Sequence, residues 1–384
     1  MSTKTILIIS LLLSMIQALF AQPLVSIHID PANVSKGRLM LSDLVESVEY
    51  IPLETKDNCL IGHISCFDVS KNYILLYCSQ TNNVFLFKRD GRFVAKIGSS
   101  GQGPQEYLRL NNVFIDETKN ELILCSFNKH LFFSLSGKFL RMVSHQKNQT
   151  PLWIYYNNQL ISGSPSGVFP GIFPVYNIWT LDMQLIASGV NSIPVENKVE
   201  GGIGMFSNPA IVSYIYENKL YLRESTLNDT VYVVDNGIMP KYILYTGKYG
   251  ITPEEKGSFN LDFLTNSANV SSIAETASYI LFQYRYRKVV YSAFFKKDSG
   301  KLEYFDTNEA GIPNNFDGGL DFWPEKQINK EWYCFYDAPT FLNKSAKHKP
   351  EFSNVSQAAS QKYKNLVRKI DTEDNPVLVI SIIK

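Results

Sequence analysis

Apolar and polar residues alternate with a period of two through most of this chain, in short runs broken by turn residues, and the runs come in groups of four. The clearest group extends from Ile64 to Ile97, where ISCFDVS, YILLYC, NVFLFKR and RFVAKI are separated by Lys71-Asn72, Ser79-Gln80-Thr81-Asn82 and Asp90-Gly91. Period-two alternation over such lengths predicts strands, and Asp-Gly between two of them predicts a hairpin, because its turn needs positive φ. A second group, from Val113 to Val143, reads VFIDE, ELILCS, HLFFSL and KFLRMV, with its last hairpin at Ser136-Gly137, and the two hairpin glycines lie 46 residues apart. The third starts at Leu152 with LWIYY, QLISGS, YNIWTLD and QLIASG, turns at Asp182-Met183, and carries a longer middle loop from Pro165 to Pro174. The fourth reads AIVSYIYE, KLYLRES, TVYVVD and KYILYT, with turns at Asn218-Lys219 and Asn236-Gly237. The fifth reads SIAETAS, YILFQYR, KVVYSAFFK and LEYFD, turns at Ser299-Gly300, and follows a long segment, Gly247 to Ser267, with room for a short helix. The sixth is split: GLDFWPEK and EWYCFYD, a polar stretch that predicts a helix over Asn354–Ile370, and the terminal strand PVLVISII.

One four-stranded sheet cannot bury both of its faces, so a repeat of 40 to 50 residues with four strands each predicts the blades of a β-propeller. The expected fold is all-β: a six-bladed β-propeller of four-stranded antiparallel blades spanning residues 47–384 as one domain. The run SVEYIPLE (47–54) has no hairpin partner, and pairing it with the last unit would close the ring and remove open sheet edges. Residues 22–46 then form a leading arm, with one helical turn expected at Leu41–Leu44.

Composition adds to this picture. Hydrophobic residues make up 45% of the 384, with 24 phenylalanines and 22 tyrosines, which suits strands packed face to face. Lys4, an apolar run from Ile6 to Ile16 and a small residue at Ala21 mark residues 1–21 as a secretory signal peptide; the apolar run is short for a membrane span. A lipoprotein would need a cysteine at the start of the mature chain, yet the first is Cys59, so a soluble protein of the periplasm or cell exterior is expected, without a transmembrane span. With 37 basic and 36 acidic residues there is no net field to draw a polyanion, and nucleic acid is not an expected partner. The five cysteines are too scattered for a disulfide scaffold and are expected as buried thiols; Cys66 and Cys78, flanking the first turn, are the one pair placed for a cross-strand bridge.

The segment Lys96-Ile-Gly-Ser-Ser-Gly-Gln-Gly-Pro-Gln-Glu-Tyr107, with VFIDE and the Ser136-Gly137-Lys138-Phe139 hairpin after it, resembles the NHL-type repeat, in which a glycine-rich linker precedes each blade. VEYIPLET (48–55), GQGPQEY (101–107) and the ending Asp374-Asn-Pro-Val-Leu-Val-Ile380 together make the whole chain similar to a six-bladed β-propeller family of Bacteroidetes. The resemblance implies fold and export more than activity. It also implies lipoprotein relatives, from which this chain departs by lacking the acceptor cysteine.

Chemistry is sparse. The GQGPQEY loop reads as a tight crossover between blades, or as a ligand contact through Gln102, Glu106, Tyr107 and Arg109 at one mouth of a central channel. No helix follows it, so it is not a phosphate cradle. Loops between the second and third strands of each unit share that face and carry Asn82, Asn128, His130, Asn228, Asp229, Arg285 and Arg287 beside aromatic residues, a mixture that suits a sugar-like or peptide ligand. The five histidines lack ligand spacing, no CxxC or HExxH occurs, and Gly163-Ser-Pro-Ser-Gly167 has proline where a nucleophile elbow has serine. No catalytic residue, metal ligand or cofactor is expected. The leading expectation is an exported non-enzymatic binding module presenting loops to a glycan, peptide or envelope protein. The competing one is a calcium-assisted hydrolase or lyase with its site in the channel, since oxygen ligands for calcium leave no linear signature.

Overall fold

The computed structural model describes residues 24–384 apart from 33–34, 146–151, 165–170, 195–210, 225–227, 236, 253–254, 256–265, 306–310 and 348–354. The expected export segment at 1–21, the turn residue Asn236, the start of the predicted helix at Asn354 and most of the loops at Pro165–Pro174 and Gly247–Ser267 lie outside the described residues.

The leading arm carries β1 (Val25–His28), β2 (Lys36–Gly37) and the single-turn helix α1 (Leu41–Leu44), and runs into β3 (Val45–Pro52). The first unit is β4 (Ile64–Val69), β5 (Tyr73–Cys78), β6 (Asn83–Lys88) and β7 (Phe93–Ile97). A short parallel pair, β8 (Ser99–Ser100) with β9 (Glu106–Tyr107), spans the crossover. The second unit is β10 (Leu110–Asp116), β11 (Glu121–Ser126), β12 (Lys129–Ser134) and β13 (Phe139–Ser144). The third is β14 (Leu152–Tyr156), β15 (Gln159–Gly163), β16 (Pro174–Trp179) and β17 (Leu185–Asn191); the fourth is β18 (Ile211–Tyr216), β19 (Lys219–Glu224), β20 (Thr230–Val234) and β21 (Ile238–Tyr245). The fifth is β22 (Asn269–Glu275), β23 (Tyr279–Tyr286), β24 (Val289–Lys296) and β25 (Lys301–Phe305). The last has β26 (Lys326–Ile328), β27 (Glu331–Tyr336), helices α2 (Ala338–Lys347) and α3 (Gln357–Val367), and β28 (Val377–Ile383).

The chain is thus mostly β, in a propeller-like arrangement of antiparallel four-stranded blades. The first three units are separate four-stranded sheets, and the fifth gains β2 as a parallel outer strand. Six separate sheets, as the repeat predicts, is not the hydrogen-bonded arrangement. The fourth and last units belong to one nine-stranded sheet, ordered β1-β21-β20-β19-β18-β26-β27-β28-β3, which is continuous through a single parallel pair, Ile215 with Ile328. In four units the hairpin between the third and fourth strands slips register, next to the turn at Leu86/Phe87, Phe132/Phe133 and Ile178/Trp179 and further from it at Val231/Tyr232. Such irregularities increase twist, which lets successive sheets fan about an axis.

The second strands are apolar on both faces because each sheet is covered twice. Leu75 and Tyr77 pack toward Val113, Leu122 and Leu124 of the second unit, while Ile74 and Leu76 pack toward Ile51, Leu378 and Ile380 of the last. This two-sided burial also overturns the expected Cys66–Cys78 bridge. All five cysteines are free, and a register shift between Ile64 and Cys66 sets Cys66 against the second unit and Cys78 against the last. In the last unit, the predicted strand GLDFWPEK contributes only Lys326 onward. Its earlier residues form a loop in which Ile312 bridges Phe322 and both join the core with the fifth unit. One helix was expected in that unit and two are present; Asp337 caps α2 by accepting from Thr340 N at 2.8 Å.

Strand β3 pairs antiparallel with β28 from Val377↔Pro52 to Ile383↔Val45, so the two ends of the chain share one sheet. The Asp90-Gly91 hairpin docks under the exit of β3. Gly91 has φ +88°, a Cβ there would stand 2.3 Å from Pro52 O, and Gly91 O accepts from Glu54 N at 2.9 Å. Ile380 is 1% exposed, between β3 and the first unit. We expect Ile380→Ala to cost about 2–4 kcal/mol in chemical denaturation, and truncation before Val377 to abolish cooperative unfolding, since losing several such side chains removes about as much as the whole stability of a domain.

Candidate functional site

The first strands of the units converge on a cavity of about 900 Å³. Its wall is formed by β4, β10, β14, β18 and β26, and no residue of the fifth unit lines it. Polar stitches hold this wall together. Asp68 accepts from Ile115 N at 2.9 Å and from Lys326 Nζ at 2.5 Å, tying the first unit to the second and the last. Tyr155 donates to Asp116 at 2.6 Å, and Tyr156 donates to Asn218 O at 2.5 Å. Asn218 N donates to Asn329 Oδ1 at 2.7 Å and Asn329 Nδ2 returns to Asn218 Oδ1 at 3.0 Å. These last bonds, with the Ile215–Ile328 pair, close the wall from the fourth unit directly to the last.

The fifth unit is held behind that junction. Glu275, at the end of β22, accepts from Tyr214, Tyr242 and Lys297 and is bonded through its backbone to Gln327 in both directions, with Glu275 N donating at 2.7 Å and Glu275 O accepting at 2.7 Å. Arg223, 3% exposed, donates to Val270 O at 3.0 Å. A carboxylate so deeply buried needs these partners to offset its lost hydration.

The cavity is lined by the aromatic residues Phe67, Tyr155 and Tyr156 beside Asn112 and Ser213, while Phe114 and Tyr214 of its wall belong to the buried cores behind it. At the mouth where β4 and β26 begin, His63, Glu325, Phe335 and Asp337 come to the rim. Glu325 Oε2 accepts from Phe335 N at 3.3 Å, and the Phe335 ring meets Phe67 edge-on at 4.9 Å. Glu325 is open to the water of the cavity, and crowding by the surrounding wall raises its carboxyl to about 7, with the Phe335 N–H pulling the other way. Among the described residues, no three His, Cys, Asp or Glu side chains gather in a way that would hold a metal ion.

The loop residues singled out from the sequence are placed otherwise, and none of the eleven lines the cavity. Tyr107 is fully buried, its hydroxyl accepting from Val84 N at 3.2 Å, so it anchors the crossover and cannot face a ligand. Glu106 folds back onto its own loop, accepting from Gly103 N at 2.9 Å, with its carboxylate where a Cβ on Gly101 would be. Asn82 ties the neighbouring turn to that loop, donating to Ser100 Oγ and Leu108 O and accepting from Tyr77. His130 is also fully buried, stacked on His145 at 4.6 Å and edge-on to Trp153 at 4.6 Å, and burial lowers its pKa to about 3, so it stays neutral. Asn228 caps its own turn through Thr230 N, and Asp229 lies 3.7 Å from Arg223 with its pKa raised by burial. Gln102, Arg109, Asn128, Arg285 and Arg287 are exposed, with Arg287 5.1 Å from the Tyr286 ring. The cavity residues were missed because most lie in first strands or in the turns beside them, not in the loops that the sequence singled out. A polar residue within an otherwise apolar strand, such as Asp68 in ISCFDVS or Gln327, was the available signal.

Two consequences are measurable. Asp68→Ala leaves the Ile115 N–H unpartnered and the Lys326 ammonium with only Phe67 O and no counter-charge, and we expect it to cost about 3 kcal/mol in denaturant unfolding; adding Lys326→Met should recover part of that loss. Folding raises the Glu325 pKa above its unfolded value, so the fold disfavours the ionised form. The cost is absent below the ordinary carboxylate range and fully present above about pH 7. Glu325→Gln should therefore match the wild-type thermal midpoint in acid and exceed it by a small margin that grows from the ordinary carboxylate range to about pH 7 and is constant above it.

Known structures place this geometry among propeller-like folds. A protein of Bacteroides fragilis named as a candidate for export superposes with a TM-score of 0.69 at 19% identity, over 94% of this chain and 100% of that one. A member of the DUF4221 family from Bacteroides vulgatus superposes with a TM-score of 0.51 at 10% identity, over 89% and 97%. At these identities the likeness concerns the fold. No curated protein matches the chain, and among the described residues no helix is long and apolar enough to cross a membrane. Residues 24–381 match one family across nearly the whole length described above, and the chain belongs to that family, the domain of unknown function DUF4934.

Proposed function

We propose that this chain is an exported, non-catalytic binding module that takes a small glycan or peptide segment into its axial cavity. The observation that carries this reading is the cavity itself: about 900 Å³, lined by aromatic rings, with amides and hydroxyls at intervals. That volume lies within the range of ligand sites, and rings with a few hydrogen-bonding groups suit a ligand that has both an apolar face and a polar edge. Asp68, Lys326, Asn218 and Asn329 are already engaged with one another or with backbone, which stiffens the wall and leaves them little part in turnover. Among the described residues, no three His, Cys, Asp or Glu side chains gather as they would around a metal ion. Export is supported by the resemblance to the B. fragilis protein and by the pattern of residues 1–21.

The finer architectural reading is also ours. The nine-stranded sheet joins its two parts through one residue pair, and counting it as two blades makes six. The GQGPQEY crossover, with the β8–β9 pair, serves as an NHL-like linker between the first two.

The test is a thermal-shift and calorimetric screen against neutral and charged oligosaccharides and short peptides, with product analysis by mass spectrometry. A ligand of the native state should raise the midpoint by mass action and be recovered unchanged. Ser213→Trp, which pushes an indole into the cavity from β18, should remove that shift while leaving the circular dichroism intact. Turnover of any ligand, or a shift that Ser213→Trp leaves in place, would end this reading.

A further inference from the structure

The cavity has an electrostatic asymmetry at one rim. Three carboxylates line it, Asp68, Glu325 and Asp337, against one ammonium, Lys326. Asp68 and Lys326 cancel, with Nζ to Oδ1 at 2.5 Å and Nζ to Phe67 O at 3.0 Å. Asp337 spends Oδ1 on the N-terminus of α2. Glu325 is left with one long hydrogen bond from Phe335 N at 3.3 Å, and no cation among the described residues pairs with it. Its side chain opens into the cavity beside the paired rings of Phe335 and Phe67. A carboxylate lacking a cation, next to aromatic rings, in a cavity large enough for a ligand, is the complement of an organic ammonium: the carboxylate accepts its N–H groups and the rings attract its charge and cover its carbon atoms.

We propose that the rim formed by Glu325, Phe335 and Phe67 binds a primary ammonium carried by the ligand of the axial cavity. This rests on the binding-module reading and narrows its ligand class. An ammonium on an amino sugar and one on a lysyl side chain share this chemistry. Either would place its charged nitrogen at Glu325, with the body of the molecule deeper among Tyr155 and Tyr156. Lys326 has its charge met by Asp68 on the neighbouring strand, and its Nζ stands 5.7 Å from the centre of the Phe67 ring, so the ammonium of the ligand sits on the Phe335 side of the pair.

Calorimetry on the full-length protein at neutral pH decides the matter with two matched pairs of probes: a glucosamine trimer with its N-acetylated counterpart, and a Gly-Lys-Gly peptide with its Nε-acetylated form. Acetylation removes the charge and adds a small acetyl group, so a preference that is merely steric would persist in Glu325→Gln whereas one that reads the charge would not. The free amine of at least one pair should bind roughly tenfold or more tightly than its acetylated partner, and the pair that responds identifies the source. Glu325→Gln should abolish that preference, weakening the amine roughly ten- to hundredfold while the acetylated form is unchanged, as expected for loss of one charge-assisted hydrogen bond. Circular dichroism and the thermal midpoint of Glu325→Gln check that the variant is folded. Equal binding of free and acetylated probes, lost in Ser213→Trp, would overturn the ammonium inference and leave the cavity as a binding site. An amine preference that survives Glu325→Gln would also overturn it. Binding of neither pair would overturn it too, and the broader ligand screen would then judge the binding reading by itself.

Discussion

The pairing of β3 with β28 is the contact through which the two ends of the chain become one sheet, and the other sheets rely on it for cover. Each sheet here is apolar on both faces, so none is stable until a neighbour lies on either side. Without β3 and β28 the first unit would expose Ile74, Leu76, Phe85 and Phe87, and β27 would present an unpaired edge. Because the closing strands come from opposite ends of the sequence, this cover exists only when the whole chain has folded. That makes closure a cooperative event more than a local one.

Closure is not regular around the axis. Ile215 with Ile328 and Asn218 with Asn329 join the fourth and last units at the wall of the cavity, and the fifth unit stands behind them, fastened by Glu275 and Arg223. The largest core cluster lies there, combining Val212 and Tyr214 of β18, Val270 of β22, Phe282 of β23 and Trp332 of β27. A deep apolar core offsets the cost of burying Glu275 and Arg223, and their hydrogen bonds specify how the three units meet. The result for function is a narrower cavity, walled by five strands, whose polar groups are mostly committed to one another.

That commitment is what sets Glu325 apart. Asp68, Lys326 and the turn asparagines belong to the wall, and Asp337 is engaged at the start of α2, so Glu325 stands out as the most loosely held carboxylate of the rim. Crowding by the surrounding wall raises its pKa toward neutrality. The exposed loops around GQGPQEY, by contrast, are largely occupied in holding themselves together.

Strand positions, hairpin turns and the joining of SVEYIPLE to the last strand were legible in the sequence because they follow from local rules: period-two alternation, glycine at positive φ, and an unpaired strand that needs an edge. Asp90-Gly91 is a case in point, a hairpin by its residues alone. Its second role beneath Pro52 required the fold. The burial of Tyr107 and His130, the opposite faces taken by Cys66 and Cys78, the second helix after Asp337 and the displacement of the fifth unit were decided by tertiary structure. In each of these, which face a side chain presents depends on a register shift or on which distant sheet lies against it. The cavity belongs to this second group as well: Phe67, Tyr155, Ser213, Glu325 and Phe335 are unremarkable within their own strands, and only the convergence of five strands on one axis brings them to a common space.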